Sequence, residues 1–222
     1  IQEGTGGNYD WASAVTKMLR WVKEVDTAHL PTSGSNNRSI GTTGVPAVND
    51  SIFKDGGVVG YNYGDINFMN QAKNTYPVML WSETASAVNS RGIYTSQASQ
   101  ANADGKYHLT SYDTSSVGWG KTAHASMYPT LSNDFIAGEC VWTGFDYIGE
   151  PTPWNGTGTG DGGRGAIPNS SYFGIVDTAG FPKDNYYLYR SQWNHDANTL
   201  HLVTAWDPDN QMKTNGKTPV WV

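Results

Sequence analysis

The sequence predicts an α/β fold made of parallel βα units, and two observations carry that prediction. Strand-like runs rich in β-branched and aromatic residues alternate along the chain with segments of helical periodicity. The composition is that of a packed protein: charged residues are only 15%, yet there are 9 Trp and 13 Tyr in 222 residues, which excludes the aromatic-poor composition of disordered chains.

The elements follow in order. From Asn8 to Asp26 the apolar residues Trp11, Val15, Met18, Leu19, Val22 and Val25 recur at helical spacing, with Asn8 or Asp10 placed to cap the first turn. Leu30 to Ser35 reads as a short buried strand. Val58 to Tyr63, VVGYNY, reads as the next, preceded by Gly56-Gly57. Asp65 then caps a short helix carrying Ile66, Met69 and Ala72, and Val78 to Trp81 forms a third strand. Phe135 to Trp142 forms a fourth, with Cys140 expected in the core. The polar interval from Thr84 to Asn133 is too long for a simple connection and reads as a functional loop plus one helix, ordered by Tyr94, Tyr112 and Trp119. Asp184 to Trp193 reads as a closing helix, and Leu200 to Trp206 and Thr218 to Val222 as strands. Four strand signals precede that helix, where a closed barrel needs eight, so the pattern fits either an open α/β sheet or half of a barrel.

Several function classes are disfavoured. A net charge of -6 argues against nucleic acid, which is bound through clustered Lys and Arg. The single cysteine forbids an internal disulfide, and the five histidines show neither the i, i+4 pairing nor the Cys company of a zinc site, so neither metal nor other cofactor is expected. No apolar run is long enough to span a bilayer. The Gly-rich stretch Asn155 to Gly165 lacks the Lys-Ser/Thr ending of a phosphate loop.

The candidate chemistry centres on Glu83. PVMLWSETAS is an apolar run that ends on this single carboxylate, beside Trp81, and a buried strand delivering an acid at its carboxyl end is how barrel enzymes present a catalytic group. A carboxylate nucleophile in a retaining glycosidase needs a second carboxyl group about 5 Å away. Glu139, Asp146, Glu150 and Glu3 are the candidates in the chain, Glu139 also reading as a paired structural carboxylate. If the VVGYNY strand stays regular, Tyr61 and Tyr63 face one side and Asn62 the other. Trp81, Trp119, Trp142 and Trp154 suggest platforms on which the apolar face of a pyranose stacks.

Taken together, WSETAS, GECVWTGFDYIGEPTPW, VVGYNYG and FGIVDTAGFPKDNYYLYRSQW resemble the glycoside hydrolase family that holds bacterial β-galactosidases, β-glucuronidases and β-mannosidases. The resemblance runs nearly end to end, and the GFDYIGEPTPW block favours the β-galactosidase branch. It implies that residues 1-197 are the second, C-terminal half of a (β/α)8 TIM barrel and 198-222 the start of a β-sandwich domain. Glu83 falls at the family's nucleophile, Tyr63 at the tyrosine that contacts it, and Trp142 at a tryptophan lining the sugar site. Asn62, Trp81, Asp146 and Trp154 lie near those positions and are carried as substrate-binding candidates. The implied partners are a β-galactoside and the remainder of a parent polypeptide, because the family's acid/base Glu falls just before residue 1. Glu3 is a poor substitute for it. Some members carry a His three residues after the nucleophile where this chain has Ser86. The competing readings are a β-glucuronidase or β-mannosidase of the same family, for which only Arg164 offers a nearby loop cation, and a carbohydrate-binding module without chemistry.

Overall fold

A computed structural model of the chain describes residues 10–36, 40, 46–100, 102, 105–154 and 168–222. The chain divides into two compact units, Ile1–Thr84 with Tyr128–Cys140, and Ala85–Met127 with Val141–Val222. Glu3, Arg164 and the Gly-rich stretch lie outside the described residues.

In the first unit, helix α1 (Trp11–Val25) starts at Asp10, whose carboxylate accepts the Ser13 N–H at 3.1 Å and satisfies a first-turn donor. Val15 and Leu19 bury against Val48 and Ile52 of α2 (Pro46–Lys54), a helix not expected from the sequence, while Val22 and Val25 in the last turn of α1 are exposed. The strands are β1 (Thr32–Ser35), β2 (Val58–Asn62), β3 (Met79–Ala85) and β4 (Ile136–Trp142), in the sheet order β1-β2-β3-β4. β1 with β2 and β2 with β3 pair in parallel, as the alternation of strands and helices predicted. Helix α3 (Ile66–Ala72), capped by Asp65, lays Met69 and Ala72 on Val59, Tyr61, Met79, Trp81 and Ile136. Cys140 is exposed rather than in the core. Gly138, at φ 156°, breaks the regular pleat of β4 between Ile136, which enters that cluster, and Cys140, which does not.

The second unit contains the rest of the long interval, which hydrogen bonds order: Ser90 Oγ accepts the Leu109 N–H at 3.0 Å and Ser111 Oγ accepts that of Ile93 at 2.7 Å. Helix α4 (Ala123–Leu131) closes the interval, its first N–H groups donating to the Asp113 carboxylate at 2.9 Å. Helix α5 (Asp184–Trp193) spans the range expected for it. The two segments expected as terminal strands make one antiparallel bridge, Val203 with Trp221, and no ladder. Leu200, Trp206 and Val222 are exposed, so no covered face holds the apolar alternation of these segments in register.

Candidate active site

Glu83 owes its direction to a slip in the sheet. Met79 and Trp81 point into the cluster under α3, and strict alternation would send Glu83 after them. Instead Tyr61 pairs with Trp81 but Asn62 pairs with Glu83, so β3 carries one extra residue, Ser82, at this point. Such a bulge re-aims the side chain that follows it. Glu83 therefore leaves the apolar layer and shares the face of Asn62.

That face is polar and tightly built. Ser82 Oγ donates to Asn62 Oδ1 at 2.9 Å, and Asn62 Nδ2 donates to Asn36 Oδ1 at 2.9 Å. Gly34 makes room for this network, since a Cβ there would lie 2.7 Å from Asn62 Oδ1. The same slip ends the alternation expected of the two tyrosines. Tyr61 is buried edge-on against Phe68, whereas Tyr63, at φ 49°, turns its phenol to donate to Glu83 Oε1 at 2.5 Å. The Tyr63 N–H also donates to the Glu83 carbonyl at 2.7 Å. Ala85 and Ser86 follow at φ 63° and 52°. Left-handed backbone at three non-glycine residues around one carboxylate costs of order 1 kcal/mol or more each, and such strain concentrates at functional sites.

The other candidates divide by burial. Trp142, the last residue of β4, keeps its ring 38% exposed, edge-on to Tyr147 at 5.9 Å between centroids. Trp81 is 2% exposed inside the α3 cluster, and its Nε1 faces Gly64, where a Cβ would lie 2.5 Å away. Its ring has no face to offer a sugar. Trp154 is 7% exposed, packs with Tyr172 and Phe173, and donates from Nε1 to the Tyr107 carbonyl at 2.8 Å. Both indoles are core residues here, because register and packing rather than residue type decide which Trp stays open.

The spare carboxylates are engaged as well. Asp146 meets Lys183 Nζ at 2.6 Å and accepts the Gly174 N–H at 2.7 Å, while Lys183 also donates to the carbonyls of Asn89 and Tyr172. Burial pushes Asp146 up, against the pull of Lys183, and pushes Lys183 down, against the pull of Asp146. This pair joins loops of its own unit and is structural. Glu150 accepts from Tyr147 and Thr152. Glu139 accepts from the Thr84 hydroxyl at 2.8 Å, a contact that replaces the cation expected of a paired carboxylate. Nothing in the sequence signalled Asn36, Ser82 or Thr84, although an Asn just past β1 matches one at the end of β2.

Among the described residues no cluster of three or more His, Cys, Asp or Glu is placed to hold a metal ion, and no helix is long and apolar enough to cross a membrane. A cavity of about 390 Å³ in the second unit is lined by Asp113, Asp184 and His201. Its acids are already committed, Asp113 to the start of α4 and Asp184 to Tyr94 and His201.

Parallel βα units with a tyrosine-clamped carboxylate at the carboxyl end of a strand define an α/β protein of the kind that presents acids at the mouth of its sheet. No family model matches the chain. It is 38% identical over 205 residues to the β-galactosidase BoGH2A of Bacteroides ovatus, a match covering 86% of this chain and 22% of that protein. By this similarity the chain belongs to the GH2 family of glycoside hydrolases. Its fold resembles the crystal structure of a Bacteroides uniformis β-glucuronidase, with a TM-score of 0.52 at 20% identity over 86% of this chain and 21% of that one. It also resembles a GH2 β-galacturonidase from Eisenbergiella tayi, with a TM-score of 0.51 at 16% identity over 86% and 31%. The chain thus spans about a fifth of the curated β-galactosidase's length.

Proposed function

We propose that this chain forms one wall of the active site of a retaining glycosidase that releases terminal, non-reducing β-D-galactose from β-galactosides. The observation that carries the reading is the 2.5 Å hydrogen bond from Tyr63 to Glu83 Oε1 at a strand end turned by a bulge. In this reading Glu83 is the nucleophile: a carboxylate oxygen bonds to the anomeric carbon as the bond to the leaving oxygen breaks, and a second carboxyl group protonates that oxygen. The same group then takes a proton from water, which displaces Glu83 and restores the free enzyme. Tyr63 fixes the carboxylate, Asn62 belongs to the polar face beside it, and Trp142 offers its exposed ring to the sugar. The acid/base is assigned to the parent polypeptide outside this chain.

The same reading takes residues 1-197 as the second half of a (β/α)8 barrel and 198-222 as the start of a β-sandwich. The sequential order β1-β2-β3-β4 supports it, because doubly wound sheets reverse their strand order and barrels do not. Galactose specificity rests on the similarity to the Bacteroides ovatus enzyme. The test is incubation of the full-length polypeptide with a 2-deoxy-2-fluoro-β-galactosyl fluoride, followed by peptide mapping. One sugar is expected on the peptide containing Glu83. Attachment at another residue refutes the nucleophile assignment, and labelling only by the corresponding glucuronosyl fluoride refutes the galactoside.

A further inference from the structure

The carboxyl of Glu139 is a titratable group that the proposed reaction leaves without a task. It sits on β4, next to β3 in the sheet, and its Oε2 lies 2.8 Å from the hydroxyl of Thr84, the residue that follows Glu83. Thr84 Oγ is also 3.4 Å from the Cys140 carbonyl. Glu139 Oε1 is buried and finds no partner among the described residues.

We propose that Glu139 is a positioning residue for Glu83, acting through the Thr84 hydroxyl to hold the end of β3 against β4. The proposal rests on Glu83 being the nucleophile. On the β2 side Glu83 is held by Tyr63, whose N–H and phenol reach its carbonyl and carboxylate. On the β4 side the next residue, Thr84, supplies a clamp through its hydroxyl. The backbone turns left-handed at Ala85 and Ser86 immediately afterwards, so a fixed Thr84 keeps that turn from pulling Glu83 out of line.

The protonation state fits this task. One hydroxyl proton cannot serve both the carboxylate and the Cys140 carbonyl, and a charged Glu139 would leave a buried oxygen unsolvated. A neutral Glu139 still accepts the Thr84 proton on Oε2 and leaves no charge on the buried Oε1. Burial pushes Glu139 up, toward that neutral form, against the hydrogen bond from Thr84, which lowers it. A neutral acid also orients its neighbour without placing a second negative charge beside the nucleophile.

The experiment compares T84V, T84S, E139A and E139Q in the full-length polypeptide, reading kcat and KM on a nitrophenyl galactoside and the rate of fluoro-sugar attachment at Glu83. T84V and E139A are expected to lower kcat and the attachment rate about 10- to 100-fold, the scale of a small misplacement of a reacting group, with KM within about twofold. T84S and E139Q keep a group able to bridge β3 and β4 and are expected to recover most of the rate. Wild-type rates in T84V and E139A overturn the proposal, as does E139Q as slow as E139A or T84S as slow as T84V. Should E139A fail to fold, the contrast between T84V and T84S decides. A wild-type protein that takes no label at Glu83 overturns the nucleophile reading itself; a labelled wild type with unaffected variants overturns the positioning role alone.

Discussion

At the scale of single residues, two carboxyl groups next to the same strand end have been given opposite surroundings. Glu83 is turned to a polar face and meets a phenol, while Glu139 is sunk beside a threonine with one oxygen left over. Because burial raises Glu139, the folded state binds more protons than the unfolded chain between the unfolded value, about 4.3, and the higher folded one. The slope of stability with pH is then negative, so stability is lost as pH rises through that window. The variant E139Q has no proton to lose. The melting temperature of E139Q relative to wild type is therefore expected to rise between pH 4 and pH 7.5 in the full-length polypeptide. A difference that stays constant across this range would count against a buried, proton-retaining Glu139.

At the scale of elements, α1 and α3 were legible because Asp10 and Asp65 cap them and their apolar residues recur at helical spacing. α5 was legible instead from Pro182 just ahead of it, since Lys183 at its N-cap makes no side-chain cap. α2 was not, since its buried pair Val48 and Ile52 is too short a stripe to declare a period. Of the candidate site residues read from the sequence, Glu83 and Tyr63 are in contact and Trp142 is exposed, whereas Trp81 and Trp154 are buried, which the sequence did not announce. The burial has a physical cause in each case: Trp81 alternates with Met79 on the face of β3 under α3, and Trp154 lies in a loop packed against Tyr172 and Phe173. The bulge at Ser82, which turns Glu83 to the other face, is announced by no periodicity. Deleting Ser82 places Glu83 directly after Trp81, where regular alternation keeps it on the face of Asn62, so fluoro-sugar labelling at Glu83 is expected to persist while the far-ultraviolet circular dichroism keeps its α/β form. Lost labelling in the deletion variant would show that facing alone does not place the nucleophile and that Ser82, which donates to Asn62, is needed as well.

At the scale of the whole molecule, the limiting quantity is the number of carboxyl groups available for chemistry. Hydrolysis with retention needs a second carboxyl about 5 Å from the nucleophile and able to exchange its proton with the leaving group and with water. Among the described residues Asp146 is bound by Lys183, Glu150 by Tyr147 and Thr152, and Glu139 by Thr84. Nor is the sheet closed among the described residues, where β1 and β4 are its edges. Edge strands offer unpaired N–H and C=O groups that a neighbouring strand or solvent must satisfy. Trp21, Val22, Val25 and Leu30 are exposed in the same unit, large apolar side chains that a further packed element would cover. The purified 222-residue chain is therefore expected to give no measurable release of nitrophenol from a nitrophenyl β-galactoside. The full-length polypeptide should turn the same substrate over, with E83A abolishing that activity. Turnover by the isolated chain, lost in its own E83A variant, would mean that the second carboxyl lies within these residues after all and that Glu83 works without any further strand.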